Sequence, residues 1–183
     1  MSFVVARRGI VLAALSLAAL APSVGFAHGP SRQKVADKIE IDAPAEKVWA
    51  VVGNFQDLNW HPAIATTEGT GGNTPDQAKR HLTLKSGGTI DEILTKYDAK
   101  EFSLGYRIEQ VDVKVLPVNN YSSTITVTPQ GGKSLVEWKG AFYRGYPNND
   151  PPPELSDEAA IKAVTGIYRS GLEALKAKVE GGK

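Results

Sequence analysis

Residues 78–144 alternate between apolar and polar side chains with a period of two, and this run constrains the fold more than any other part of the sequence. A period of two predicts β-strands with one buried face. Turn-forming residues interrupt the run at 86–88, 98–100, 118–120 and 130–132. The pattern therefore predicts an antiparallel meander, in which each strand pairs with the next.

A single long helix is predicted after the meander. Ser156 is a suitable N-cap, and Asp157 and Glu158 complement the helix N-terminus. Apolar side chains then recur at helical spacing, at Ile161, Val164, Tyr168, Leu172, Leu175 and Val179. A helix with so wide an apolar face must pack along a large surface, and the sheet is the surface that the sequence offers.

The residues before the meander predict a strand and one or two short helices. Residues 35–41 alternate, which is typical of a strand. Pro44 is followed by apolar residues at helical spacing, and Gly53 ends that helix. Residues 57–62 form either a second short helix or a turn.

The N-terminal residues have the composition of an export signal. Arg7 and Arg8 precede a continuous apolar run over 10–20. The small residues Gly25 and Ala27 are typical of a signal-peptide cleavage site before His28. The apolar run is too short to span a bilayer. We expect a signal peptide over 1–27, a flexible mature N-terminus over 28–34 and a folded domain over 35–183, in a protein secreted to the periplasm. A retained anchor helix and twin-arginine export are the alternatives.

Composition excludes several kinds of site. The sequence has no cysteine, which excludes thiolate zinc sites, iron–sulfur ligation, c-type haem attachment and cysteine nucleophiles. Its three histidines leave little material for a His-based metal site. The 21 basic and 20 acidic residues nearly cancel, so no nucleic-acid partner is indicated. We expect no metal and no cofactor.

Alternation along the meander places a charged pair on the inner face of the sheet. With a three-residue loop at 86–88, Leu82 faces Glu92, and Arg80 lies diagonally from that carboxylate. The rest of this face is apolar, and desolvating an ion pair is costly unless its groups are satisfied or water reaches them. The same alternation turns four further side chains inward: Tyr106, Tyr121, Ser123 and Trp138.

Several segments resemble a known superfamily. Residues 41–49 (Ile-Asp-Ala-Pro-Ala-Glu-Lys-Val-Trp) resemble the strand-to-helix opening of the SRPBCC superfamily, which includes START, Bet v 1 and polyketide cyclase/dehydrase-like proteins. Gly53-Asn54-Phe55 and Trp60-His61-Pro62 resemble the G-x-F and W-H-P motifs of its polyketide-cyclase-like branch. The resemblance covers about residues 35–180. It implies an α+β helix-grip fold, in which a seven-stranded antiparallel sheet wraps around a long C-terminal helix and two short helices follow the first strand.

The export signal combined with this domain is similar to the MxaD-type periplasmic accessory proteins of methanol oxidation. The resemblance implies two partners, a pyrroloquinoline-quinone methanol dehydrogenase and its cytochrome c acceptor, whose interaction such a protein assists. This role comes from the resemblance alone.

The candidate site residues fall into two groups. A ligand cavity is predicted from Trp60, His61, Arg80, Glu92, Tyr106, Tyr121, Ser123 and Trp138. A partner-binding surface is predicted from Trp60, His61, Tyr143, Arg144 and Tyr146, because exposed aromatics and arginine are enriched at interface centres. For each of these, ordinary packing or an internal hydrogen bond is the alternative interpretation.

Two functions follow from these candidates. The first is a non-catalytic periplasmic accessory protein, which binds partner proteins and has room for a small apolar ligand. The second is a cavity-based cyclase or dehydratase-like enzyme, in which Glu92, Arg80 or His61 handles protons, or a carrier of hydrophobic ligands. A cavity closed by packed aromatics favours the first, and an open cavity that exposes Arg80 and Glu92 favours the second.

Overall fold

A computed structural model describes residues 29–181. The signal peptide predicted over residues 1–27 lies outside the described residues. Seven strands form one antiparallel sheet in the order β1-β7-β6-β5-β4-β3-β2. The strands are β1 (Gln33–Ile41), β2 (Ile64–Thr70), β3 (Lys79–Leu84), β4 (Thr89–Asp98), β5 (Ser103–Val111), β6 (Val118–Gln130) and β7 (Lys133–Arg144). Helix α1 (Ala45–Val52) follows β1, and α2 (Asp157–Gly181) ends the described chain after a short 3-10 turn at Pro153–Leu155.

The helix-grip fold predicted from the sequence is confirmed. The sheet packs its apolar face on α2, which contacts β1, β7 and α1. Ser156 caps α2, because its Oγ accepts a hydrogen bond from Ala159 N at 3.2 Å. The buried face of α2 is rotated slightly from the predicted stripe: Ala160 and Gly171 are buried, whereas Ile161 is 37% exposed.

One short helix follows β1, where the family resemblance implied two. After α1, residues 54–62 form a succession of turns, the alternative that the sequence left open. Asn54 and Asp57 side chains each accept a backbone hydrogen bond from two residues further along the chain, at 3.1 Å and 2.9 Å. Such side-chain contacts favour turns over helix.

β1 begins at Gln33, two residues inside the segment that the sequence predicted to be flexible, because Gln33 and Lys34 pair with Phe142 and Ala141 of β7.

Strand β2 is the one strand of the predicted seven that alternation along the sequence did not locate. It pairs with β3 at the edge of the sheet, and of its side chains only Ile64 is buried. An edge strand that buries so little has no apolar periodicity to detect.

The turn predicted at 118–120 lies instead at 112–117, where Asp112 O accepts hydrogen bonds from Val115 N and Leu116 N at 2.8 Å and 3.1 Å. Val118 and Asn119 already pair with β7, and Asn120, with a φ of 49°, lies in a bulge of β6.

The β3–β4 hairpin is two residues out of the predicted register. Thr83 pairs with Thr89, and Leu84 N donates to Gly88 O at 3.0 Å, so the three-residue loop lies at 85–87, one position before the predicted 86–88. Because a shift of two residues leaves every side chain on its predicted face, Arg80 and Glu92 still point inward. They are direct cross-strand partners rather than diagonal neighbours.

Candidate functional site

A buried ion pair lies at the centre of the inner face. Arg80 Nε donates to Glu92 Oε2 at 2.6 Å, and the two side chains are 4% and 6% exposed. Arg80 Nη1 also donates to the backbone oxygen of Phe55 at 3.3 Å. The guanidinium carbon lies 4.3 Å from the Phe55 ring centroid and 5.0 Å from that of Tyr106. The cation is thus held by a carboxylate, a carbonyl and two aromatic faces, which offset the cost of desolvating it.

Burial and Arg80 shift the pKa of the Glu92 carboxyl in opposite directions. Burial raises the pKa of the Glu92 carboxyl above its usual range, and the adjacent Arg80 charge and hydrogen bond oppose that rise. The pKa of this carboxyl therefore reflects both its burial and the neighbouring cation. Its contact with Arg80 gives the carboxyl a structural role in the core.

A second polar cluster joins the sheet to α2. Tyr168 of α2 is hydrogen-bonded through its hydroxyl to Tyr121 Oη at 2.7 Å and to Ser123 Oγ at 2.9 Å. Trp138 Nε1 donates to Ser123 Oγ at 3.0 Å and to Tyr106 Oη at 3.1 Å. Ser123 Oγ also donates to Lys139 O at 2.9 Å. We call these five side chains, Tyr106, Tyr121, Ser123, Trp138 and Tyr168, the tyrosine cluster.

Burial keeps the phenols of this cluster protonated. It raises the pKa of Tyr106 to about 12, with the Glu92 charge adding to the rise. Burial likewise raises the pKa values of Tyr121 and Tyr168 well above the usual value. These hydroxyls are hydrogen-bonding groups over the ordinary pH range and do not act as phenolate bases.

His61 connects the turn after α1 to the middle of α2. Its Nδ1 accepts a hydrogen bond from Ala63 N at 3.1 Å, which assigns the ring proton to Nε2; that atom donates to Ile167 O at 3.0 Å. Burial lowers the pKa of His61, although the bond to the Ile167 carbonyl opposes this; the charges of Arg80 and Lys85 lower it further. His61 is therefore a neutral ring with both nitrogens engaged.

Two glycines make room for these contacts. A Cβ on Gly171 would lie 2.6 Å from His61 Cδ2 and 2.6 Å from Trp138 Cζ3. A Cβ on Gly140 would lie 2.1 Å from the Tyr168 hydroxyl. The close approach of α2 to the sheet at His61 and at the tyrosine cluster therefore requires residues without side chains.

A cavity of about 40 Å³ lies between the sheet and α2. Five of the eight residues predicted to bind a ligand line it, namely His61, Glu92, Tyr106, Tyr121 and Trp138. Trp60, Arg80 and Ser123 do not. The remaining lining is apolar, and the half-buried Leu84, Ile108 and Ile167 are part of it. This volume holds a few water molecules, whereas small-molecule sites typically have about 300 Å³ or more.

The residues predicted to form a partner-binding surface differ in their burial. His61 is 2% and Arg144 6% exposed, so these two side chains lie inside the domain rather than on its surface. Arg144 instead organises the loop before α2: it donates to Tyr146 O at 3.0 Å, Asn148 O at 2.7 Å and Asp157 Oδ2 at 3.1 Å. Tyr143 and Tyr146 are half-buried.

Trp60, which appears in both predicted groups, is half-buried against His61 and Trp138, with ring centroids 6.1 Å and 6.2 Å away. Its Nε1 is buried and has no hydrogen-bond acceptor among residues 29–181.

The role of Tyr168 was not predicted from the sequence. The residue was predicted as one member of the apolar stripe of α2, yet its hydroxyl links the helix to strand β6 at two positions, Tyr121 and Ser123. The available signal was a hydroxyl-bearing side chain in a stripe that is otherwise mainly aliphatic, because a buried tyrosine hydroxyl usually has a hydrogen-bond partner.

Within residues 29–181, no group of three or more His, Asp and Glu side chains is placed to hold a metal ion. The helices in this part of the chain include none that is long and apolar enough to cross a membrane.

The fold and the buried site define a helix-grip protein of the SRPBCC superfamily. The family model for polyketide cyclase / dehydrase and lipid transport proteins matches residues 32–180, and the chain belongs to that family.

Similar proteins come from bacteria and a plant. The structure of protein XoxI from Bacillus cereus is 36% identical, with a TM-score of 0.67, over 80% of this chain and 95% of that one. A structure from Bacillus thuringiensis is 34% identical, also with a TM-score of 0.67, over 81% and 99% of the two chains. MLP-like protein 423 of Arabidopsis thaliana is 29% identical over 67% of this chain and 83% of its own length.

Proposed function

We propose that this protein is a non-catalytic periplasmic accessory protein of methanol oxidation, which assists the interaction of methanol dehydrogenase with its cytochrome c acceptor. One observation carries the non-catalytic part. The ionisable side chains that line the cavity, His61, Glu92, Tyr106 and Tyr121, are each hydrogen-bonded to another protein group. A general acid or base must reach a proton on its substrate, and here each of those groups is already engaged by a protein partner: the Ile167 carbonyl, Arg80, Trp138 and Tyr168 respectively.

The sequence supports the proposed partners and the proposed periplasmic location. The pattern of residues 1–27 supports export, and the similarity to MxaD-type proteins supports the dehydrogenase and the cytochrome as partners. In this role the protein binds one or both partners and changes their encounter or geometry. With 21 basic and 20 acidic residues, it relies on a local patch rather than on long-range attraction.

The test is a reconstituted electron-transfer assay. Purified methanol dehydrogenase and its cytochrome c acceptor are mixed with increasing amounts of the mature protein, and the rate of cytochrome reduction is followed. We expect a rise in rate that saturates with accessory protein. A rate that does not change at any concentration, with no binding to either partner, overturns the proposal.

Two variants separate the surface from the cavity. Tyr143→Ala should raise the concentration needed for half of the effect, because Tyr143 is the half-exposed aromatic on the outer side of β7. Glu92→Gln, checked for folding, should leave the effect nearly intact, because Glu92 is buried. If Glu92→Gln abolishes the effect in a folded protein while Tyr143→Ala does nothing, the cavity is the working site.

The lining of the cavity favours one alternative function, a carrier of small hydrophobic ligands. Leu84, Ile108 and Ile167 are half-buried, and outward movement of these side chains would enlarge a lining that is mainly apolar. Native mass spectrometry of protein purified from periplasm distinguishes the two functions. A stoichiometric small molecule that is lost in an Ile108→Trp variant supports the carrier, and a ligand-free mass supports the accessory protein.

A further inference from the structure

A shallow groove of about 640 Å³ crosses the outer face of the sheet, on the side opposite α2. Its side chains come from five adjacent strands, β1, β7, β6, β5 and β4. They include three lysines, Lys34, Lys96 and Lys139, and no carboxylate. In a chain whose charges nearly cancel, this groove is a local concentration of positive charge.

The lysines of the groove are poorly neutralised. Lys34 and Lys96 are exposed and form no ion pair with any residue in 29–181. Lys139 is 3.4 Å from Glu137, whose carboxylate also binds Lys38 at 2.9 Å. Elsewhere on the sheet, lysines have carboxylates of their own: Lys79 lies 2.8 Å from Glu109, and Lys133 lies 3.0 Å from Glu40.

Small residues form the floor between these lysines. A single row of cross-strand partners runs Lys96, Gly105, Thr124, Lys139 and Ala36. Four inter-strand spacings give this row a length of about 19 Å. Lys96 therefore lies at one end of the row and Lys139 lies within it, and the residues between and beside them are glycine, threonine and alanine. That length suits a segment of a protein chain with several carboxylates better than a single small anion.

The groove continues into an aromatic patch at its β1–β7 side. Arg32 lies over the Tyr143 ring, with Cζ 5.8 Å from the centroid, and its Nη2 donates to Ser122 Oγ at 3.3 Å. Ser122 itself lines the groove. Tyrosine and arginine are the residue types enriched at protein interfaces. The basic groove and Tyr143 thus form one continuous surface.

We propose that this outer-face groove is the docking site for an acidic segment of a partner protein. The carboxylates of that segment pair with Lys34, Lys96 and Lys139, and an apolar or aromatic residue packs against Tyr143. The inference rests on the proposed function only where it assigns the segment to the dehydrogenase or the cytochrome. The groove and its charge stand without that assignment.

The test uses a glutamate-rich peptide as the probe and NMR spectroscopy of the isotope-labelled mature protein. At low ionic strength, the peptide should shift the amide signals of the groove in a saturable way, and added salt should weaken the binding. Lys34→Glu/Lys96→Glu should weaken it at least tenfold. Lys47→Glu/Lys162→Glu makes the same change in net charge on exposed helical residues and should weaken it much less.

A second variant tests the shape of the groove without changing its charge. A Cβ on Gly105 would make ordinary contacts, 3.4 Å from Thr95 Oγ1 and 3.5 Å from Lys96 Cβ, so Gly105→Val should fold. Its branched side chain would occupy the floor and should weaken peptide binding severalfold. Equal losses in the two lysine pairs, or signal changes spread over the whole surface, would overturn the proposal.

The other arms identify the occupant and separate this proposal from the proposed function. Binding to vesicles of anionic phospholipid that Lys34→Glu/Lys96→Glu abolishes, without binding of the peptide, would assign the groove to a membrane and overturn the proposal. Peptide binding in the groove with no effect on methanol dehydrogenase would leave the groove established and reject the methanol role. If Lys34→Glu/Lys96→Glu accelerates cytochrome reduction as much as the wild type does, and the peptide does not bind, the groove proposal is rejected and the methanol role stands.

Discussion

Arg80 and Glu92 are direct cross-strand partners on β3 and β4, with Nε 2.6 Å from Oε2 and almost no exposure to solvent. Removal of one member leaves the other charge in an apolar interior, whereas replacement of both by apolar residues removes the desolvation cost together with the attraction. The pair is therefore more important for how the core tolerates single changes than for how much it adds to stability.

The first prediction is a double-mutant cycle on this pair. Arg80→Met should lower the free energy of unfolding by about 3 kcal/mol, because Glu92 is left buried without its cation. Arg80→Met/Glu92→Leu should lose less than Arg80→Met alone. Denaturant unfolding of the wild type, the single variants Arg80→Met and Glu92→Leu, and the double variant measures these values. Single losses below about 0.5 kcal/mol would mean that the pair is in contact with water.

The sequence predicted strand faces better than strand pairing. Alternation correctly places Arg80 and Glu92 inside, because burial imposes a period of two on the side chains. Register depends on how the loop closes. The loop closes at 85–87, one position before the predicted loop, with Gly87 at a φ of 91° and Gly88 at 85° beside it. This displacement shifts the hairpin register by two residues, and no apolar pattern records such a shift.

Close packing on α2 gives the second prediction. Gly171→Ala should cost about 1 to 3 kcal/mol, because the new methyl group would meet the rigid rings of His61 and Trp138. Gly166→Ala on the same helix has no atom within 4 Å of its new Cβ and should stabilise the protein by about 0.5 to 1 kcal/mol. Thermal and denaturant unfolding of both variants checks this. Equal effects would mean that α2 does not approach the sheet this closely.

The third prediction concerns pH and His61. Its pKa is lowered from 6.5 in the folded protein, so between these two values the unfolded chain binds more protons. Stability should therefore fall as pH drops below about 6.5, by at most about 1.4 kcal/mol per pH unit. His61→Gln should lose stability at every pH but show less of this slope. Denaturant unfolding at about pH 7.5 and about pH 5.5, roughly one unit above and below the ordinary histidine pKa, measures the difference.

Glu92 affects the pH dependence of stability in the opposite direction. Its raised pKa means that the folded protein takes up a proton more readily than the unfolded chain, which adds stability as pH falls. Both proteins of the comparison contain Glu92, so its contribution cancels in their difference. Identical pH slopes for wild type and His61→Gln would show that His61 is not held neutral by burial.

The candidate site was predictable as a set of residues but not as a network. Side-chain type and strand face were enough to select Glu92, Tyr106, Tyr121 and Trp138. The bond from His61 to Ile167 joins residues 106 positions apart in the sequence, and that between Tyr121 and Tyr168 spans 47. Such links depend on how α2 lies on the sheet, which neither periodicity nor a short motif specifies.

The tyrosine cluster gives the fourth prediction. Burial raises the pKa of Tyr106 to about 12 and lifts those of Tyr121 and Tyr168 as well, so the unfolded chain loses these phenolic protons first as pH rises. Stability should then fall above about pH 10, where unfolded tyrosines ionise. Tyr121→Phe removes one such group and should make this fall shallower, whereas Tyr146→Phe removes a phenol outside the cluster and serves as the matched control. Tyrosinate absorbance and circular dichroism, followed together through an alkaline titration, should show that ionisation of the cluster coincides with unfolding. Full ionisation of all tyrosines in a protein that is still folded would contradict the burial of the cluster.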